Sequence, residues 1–137
     1  MIKIICGGRR HRDWVLAGIS EYEKRLRKPF DIEWRFVDEE KLADVKTSGV
    51  LIVLDERGEL WDSVELAGKL ESALGQSREV TFVIGGAYEV PSSLRERADA
   101  IIALGRMVLP HEMCRLILTE QIYRAQEISR GGKYHHA

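Results

Sequence analysis

Ile101-Ile102-Ala103-Leu104 followed by Gly105-Arg106-Met107-Val108-Leu109-Pro110-His111 decides how the chain folds. A short apolar run gives way to a glycine-proline loop, and the longest helical pattern in the sequence begins where the loop ends. Upstream, Val80-Thr81-Phe82-Val83-Ile84 runs into Gly85-Gly86 in the same way. Two buried-type strands therefore each end in a glycine-containing loop. In α/β proteins, ligands bind outside the carboxyl ends of the strands. The two loops are the first place to look for a site.

Outward from that stretch, strands and helices alternate. Residues 2–6 read as a buried strand stopped by Gly7-Gly8, and residues 12–28 as a helix with Val15, Ile19, Tyr22 and Leu26 inward. Asp13 is placed to cap that helix and Pro29 to end it. Residues 31–37 alternate, with Ile32, Trp34 and Phe36 on one face, as in a half-exposed strand near a sheet edge. Residues 38–48 are polar, with room for a short helix around Leu42. Val50-Leu51-Ile52-Val53-Leu54 is continuous apolar sequence, the pattern of a central parallel strand. A turn is expected at 55–59, a helix at 62–74, and strands at 79–84 and 100–104. A short helix beginning at Pro91-Ser92-Ser93 separates the last two, with Pro91 in its first turn. The last helix is expected over 111–130, with Cys114, Ile117, Leu118, Ile122, Ala125 and Ile128 in one stripe. Leu116 and Tyr123 widen that stripe beyond what a sheet covers, which points to a dimer contact. Gly131-Gly132 closes the helix. The predicted fold is a single α/β domain over 1–137, a mostly parallel sheet flanked by helices.

Composition narrows the function classes. A net charge of −1 carries no general attraction for nucleic acid. RNA binding needs local clusters such as Arg9-Arg10-His11-Arg12, where arginines beside Gly7-Gly8 reach phosphates directly. Arg25-Leu26-Arg27-Lys28 reads as solvated surface. No apolar run is long enough to span a membrane. The N-terminus is a strand rather than a signal peptide, which predicts a cytoplasmic protein. Cys6 and Cys114 are too few for a disulfide framework or a zinc site, and Cys114 reads as a structural thiol. His11, His111, His135 and His136 lack ligand spacing, so no metal is expected.

The glycines and the tail carry the chemistry. Gly85-Gly86 lets a ligand approach the backbone with no Cβ in the way, or simply makes a tight turn. It has neither dinucleotide-fingerprint nor P-loop spacing. The loop from Gly105 to Pro110 offers backbone groups able to read an adenine edge, or is an ordinary strand-to-helix connection. Asp55 contacts a ligand or bonds within its own loop. Tyr134-His135, a few residues past a buried helix, either docks over a site or frays.

In chain order, Glu21-Tyr22-Glu23-Lys24-Arg25, Leu54-Asp55-Glu56-Arg57-Gly58, Phe82-Val83-Ile84-Gly85-Gly86, Leu109-Pro110-His111, Arg115, Glu120-Gln121-Ile122-Tyr123-Arg124-Ala125 and Tyr134-His135 form an ordered set. Together they resemble the RlmH-type SPOUT methyltransferases, which methylate N3 of a pseudouridine in large-subunit ribosomal RNA. The resemblance covers essentially the whole chain. It implies a SPOUT domain with a deep C-terminal trefoil knot, a homodimer packed through the knotted region, and S-adenosylmethionine as donor. It implies donor contacts at Leu54, Gly85, Gly86, Gly105, Arg106, Met107, Val108, Leu109 and Pro110. Tyr134 and His135 would lie over the site, in a substrate pocket shared between subunits. His135 is then the candidate base for the N3 proton and Tyr134 the group that orients the acceptor. Arg9, Arg10, Arg12 and Lys133 are the candidate RNA contacts, and Arg115 and Arg124 bind phosphate or pair with Glu120. The expected partner is the ribosome with its large-subunit RNA.

Two departures from the family pattern stand out. The segment between Val37 and Val50 is shorter than the family's, which carries a full helix there. His136 stands where the family places a basic residue after Tyr-His. They motivate an alternative: a donor- or RNA-binding assembly factor without methyl transfer, or a methyltransferase for another RNA.

Overall fold

Five runs of aliphatic and β-branched residues become five parallel strands: β1 Ile2–Gly7, β2 Ile32–Val37, β3 Val50–Leu60, β4 Val80–Ile84 and β5 Ala100–Ala103. They form one sheet in the order β2-β1-β4-β3-β5. The computed structural model describes residues 1–136; Ala137, the end of the expected tail, lies outside the described residues. The helices are α1 Asp13–Glu23, α2 Ser63–Gly75, α3 Ser92–Arg97 and α4 His111–Ser129, with a 3-10 helix at Glu39–Asp44.

Alternation along the strands splits the core in two. Ile4, Cys6, Ile52, Phe82, Ile84 and Ile102 pack with Leu66 and Leu70 of α2 and with Leu118 and Ile122 of α4. Ile5, Leu51, Val53 and Val83 point the other way. Leu42 and Val45, from and just after the 3-10 helix, cover them together with Val90 and Leu94. Truncating any of these buried side chains to alanine costs about 2–5 kcal/mol. β2, the outer strand beside β1, keeps the half-exposed alternation its sequence predicts.

Five expectations change. The first helix does not run over 12–28: α1 ends at Glu23, five residues before the Lys28-Pro29 bond. Gln126 of α4 explains the early stop. Its side-chain oxygen accepts the Arg27 N–H at 2.7 Å and its amide donates to the Arg25 carbonyl at 3.0 Å. The backbone groups at that end find partners without another helical turn. Asp13 is not the cap but the first helical residue, where its charge favours the positive helix end. Arg12 holds the cap position, and Glu112 of α4 accepts its N–H at 2.9 Å. Both ends of α1 are thus tied by polar side chains of α4.

Residues 55–59 do not form a simple turn. β3 continues to Leu60, and Ile102 of β5 is in register with both Leu54 and Glu59, so residues 55–58 bulge outward. Pro91 lies just before α3, at its cap, rather than inside the first turn. The inward stripe of α4 is not wholly apolar. Leu118, Ile122 and Ala125 are buried, but so are Arg115, Thr119 and Gln126, while Cys114, Ile117 and Ile128 are only half-buried. Leu116 and Tyr123 remain partly open on the far side. α2, by contrast, starts with a capping box between Asp62 and Glu65.

Candidate functional site

A cavity of about 280 Å³ opens at the bulge of β3 and the carboxyl ends of β4 and β5. Leu54, Gly85, Gly86, Gly105, Met107, Val108 and Leu109 line it, seven of the positions where the resemblance implies donor contacts. Arg106 and Pro110 do not; Arg106 is exposed and Pro110 caps α4. Asp55, one of whose two open readings is a ligand contact, also lines it, and the structure adds Glu56 from the bulge, Ala87, Tyr88, Glu89 and Val90 after the glycine pair, and Leu104, His111 and Cys114. Cys114, read as structural, therefore faces the site. Its position one turn into α4, just after the loop, was the available signal.

The glycines divide between the roles the sequence leaves open, ligand approach and tight turn. A Cβ on Gly105, which lines the cavity, would meet nothing within 4 Å, so the space there is open. A Cβ on Gly86 would lie 2.5 Å from Glu39 Oε1 and 2.6 Å from the Gly7 carbonyl. Gly86 is required because the loop rests on the end of β1, not because a ligand fills its Cβ position. A Cβ on Gly85 would lie 2.7 Å from the Tyr88 carbonyl, across a tight turn of the same loop.

Asp55 anchors the bulge. It accepts from Arg57 N–H at 2.8 Å and Arg57 Nε at 3.2 Å, and it pairs with Arg95. Burial pushes its carboxyl up, but the hydrogen bonds and charges of Arg57 and Arg95 outweigh that and hold it at about 2. Arg57 also pairs with Glu89 at 2.9 Å, joining the bulge to the loop after β4. Asp55 thus bonds within its own bulge and to Arg95 of α3 while lining the cavity.

Tyr134 and His135 do not cover the cavity of their own chain. Tyr134 lines a groove between α1 and α4 with Tyr22, Ile117 and Tyr123. Its hydroxyl donates to Glu120 at 2.8 Å, and its ring sits edge-on to Tyr123 at 4.7 Å. Burial, then the bond to Glu120, raises its pKa, so the phenol stays protonated. Arg124 donates to His135 Nδ1 at 3.0 Å, which leaves the neutral ring's proton on Nε2. Arg124 also pairs with Glu120 at 2.7 Å, one of the two roles the sequence left open for it.

Arg115 takes neither expected role. It is 1% exposed and faces Glu112 at 3.6 Å and His11 Nδ1 at 3.5 Å, over the Phe36 ring. Burial and the neighbouring Arg115 charge push His11 down to about 4, and burial pushes the Cys6 thiol up to about 12. Arg9, Arg10, Arg12 and Lys133 are all exposed, Arg12 with Glu112 at 3.3 Å. Lys133 sits on the tail and the three arginines on the β1–α1 loop. Among the described residues, no cluster of histidine, cysteine and carboxylate side chains has a metal-binding arrangement, and no helix is long and apolar enough to cross a membrane.

Known proteins give this arrangement a context. Solved structures of similar fold include a probable methylase family protein from Haemophilus influenzae, with a TM-score of 0.64 at 13% identity over 99% of this chain and 70% of that one. A putative methylase family protein from Neisseria gonorrhoeae gives 0.60 at 11% identity over 99% and 85%. Curated relatives named ribosomal RNA large subunit methyltransferase H include one from Geobacter metallireducens, 38% identical over 156 residues and 99% of both chains. One from Prochlorococcus marinus is 39% identical over 138 residues, 97% of this chain and 91% of the relative. The 156 aligned positions exceed this chain's 137 residues, so the Geobacter relative carries residues with no counterpart here. The sequence model of a family described as "Predicted SPOUT methyltransferase" matches residues 1–135, and the chain belongs to that family.

Proposed function

We propose that this protein transfers a methyl group from S-adenosylmethionine to N3 of a pseudouridine in large-subunit ribosomal RNA, as a homodimer acting on the ribosome. The observation that carries the reading is the cavity at the bulge of β3 and the ends of β4 and β5, walled by the two glycine loops, in a chain with relatives named for ribosomal RNA methylation. Its lining suits the donor. Leu54, Leu104, Leu109 and Val90 offer apolar walls for a nucleoside, and open space at Gly105 admits it against the backbone. Glu56 places a carboxylate near a cationic ligand, while Asp55 and Glu89 are already held by arginines.

The bound donor supplies a methyl group already activated on a sulfonium. What the chain contributes is alignment and proton removal. In the proposed dimer, α4 and the knotted segment after β5 pack against their counterparts, and each tail lies over the partner's cavity. The partly open Leu116, Ile117 and Tyr123 of α4 support this, since they share the tail's surface. Tyr134, protonated, orients the base. His135 accepts the N3 proton at Nδ1 once the base displaces Arg124 from that nitrogen. Arg9, Arg10, Arg12 and Lys133, all exposed, contact RNA phosphates, Arg12 from its pairing with Glu112. Incubation with ribosomes lacking the modification and methyl-labelled donor tests the reading. Label is expected in large-subunit RNA; its absence, where a relative labels the same particles, overturns it.

A further inference from the structure

We propose that Glu39, on the short 3-10 helix, is a positioning residue for the donor site, its carboxylate holding the loop after β4 in its binding shape. The inference rests on the donor reading of the cavity. The loop turns sharply at Gly85, whose Cβ position lies 2.7 Å from the Tyr88 carbonyl, so the Tyr88 backbone sets the shape of the cavity's lip. The Tyr88 N–H points away from that turn and donates to Glu39 Oε1 at 3.1 Å. The same oxygen lies 2.5 Å from the Cβ position of Gly86, so a side chain there would displace it. Gly7 approaches from the third side, its own Cβ position 3.2 Å from Gly86 N and 3.4 Å from Glu39 Cγ. Leu42, one turn further along, is 2% exposed and belongs to the same buried cluster as Val90, at the loop's far end. The 3-10 helix therefore holds the loop by the Glu39–Tyr88 bond and shares a buried apolar cluster with the loop's far end.

This gives the short 38–49 connection a role in donor binding rather than only in packing. The Glu39 carboxylate bonds to the loop at Tyr88 and lies beside Gly86 and the end of β1, and Glu39 is absent from the donor cavity's lining. It acts through Tyr88, not on the ligand.

Glu39→Ala and Glu39→Gln test the proposal, read by calorimetry with S-adenosylmethionine and by amide hydrogen exchange of the donor-free protein. Glutamine keeps an oxygen that accepts the Tyr88 N–H, so donor affinity stays within about twofold and Tyr88 exchange stays slow. Alanine removes the acceptor, so the donor Kd rises roughly five- to tenfold, the share of one hydrogen bond. Tyr88 exchange quickens while the melting temperature stays close to the parent's. Equal donor affinity in the alanine variant overturns the proposal, and so does an equal loss in both variants or a global drop in melting temperature. If the parent itself binds no donor, the donor reading fails and takes the functional inference with it, while the exchange comparison still reports whether Glu39 holds the loop.

Discussion

Gly86 and Gly105 line one cavity, yet substituting them should produce opposite phenotypes. At Gly105 a side chain enters open space on the cavity wall. The backbone there is not in the left-handed region, so Gly105→Val leaves the folded state within about 0.5 kcal/mol of the parent. The bound donor must then share its space with three carbons. Forcing extra atoms into a filled site costs about 1–3 kcal/mol, or roughly a 5- to 150-fold weaker donor. At Gly86 even alanine meets Glu39 Oε1 at 2.5 Å and the Gly7 carbonyl at 2.6 Å. The carboxylate can swing aside, but the carbonyl belongs to the end of β1 and cannot move without disturbing the strand. Gly86→Ala should therefore destabilise the donor-free protein by about 1–3 kcal/mol. At roughly 4 °C per kcal/mol for a chain of this size, the melting temperature falls by about 4–12 °C. Scanning calorimetry without donor and titration calorimetry with it separate the two. A Gly105→Val protein that binds donor like the parent, or a Gly86→Ala protein that melts like it, refutes the assignment of the two glycines.

Arg115→Met removes a buried cation and leaves Glu112 with Arg12 as its remaining ion-pair partner; a loss of about 3 kcal/mol in urea unfolding is expected, and a loss under 1 kcal/mol would mean that desolvation already cancels the attraction. His11 is depressed in the folded state from 6.5 to about 4, so the unfolded chain binds more protons between those values. Stability should fall as pH drops from about 6.5 toward 4, and His11→Gln should flatten that window in melting curves; an unchanged slope counts against the placement of His11 beside Arg115. His135→Ala should lower turnover more than donor affinity, and an equal loss of both would reduce the tail to a cover. Gly105→Val and His135→Ala subunits, unfolded and reassembled together, should regain about a quarter of parental activity, because half the dimers carry one intact shared site. No recovery would place cavity and tail within a single subunit.

Strands were legible because buried parallel strands leave continuous apolar runs, as at 50–54 and 80–84, and an outer strand leaves alternation, as at 32–37. The two glycine loops marked most of the cavity for the same local reason. What the sequence concealed depends on partners far away in the chain. The end of α1 is set by Gln126, about a hundred residues later, and its start by Glu112. Periodicity alone carries the pattern on to Pro29. The bulge at 55–58 exists because β3 pairs twice with one residue of β5, and Asp55-Glu56-Arg57-Gly58 reads locally as a turn. Cys114, counted by helical spacing as inward, faces the cavity because the preceding loop folds beside it. The tail's place against α4, held by Glu120 and Arg124, follows from side-chain bonds that no spacing rule contains.

The polar ties between α1 and α4 also have a consequence in time. Arg12 waits for Glu112, His11 for Arg115, and the backbone of Arg25 and Arg27 for Gln126. Each pair is separated by about a hundred residues, so closing them comes after most of the chain has been made and ordered. During synthesis the first helix can form early, but its ends stay unanchored until the last helix leaves the ribosome. The amino-terminal arginine loop is therefore fixed last, together with the carboxyl-terminal helix, and a chain truncated before α4 would lack a settled beginning as well as an end.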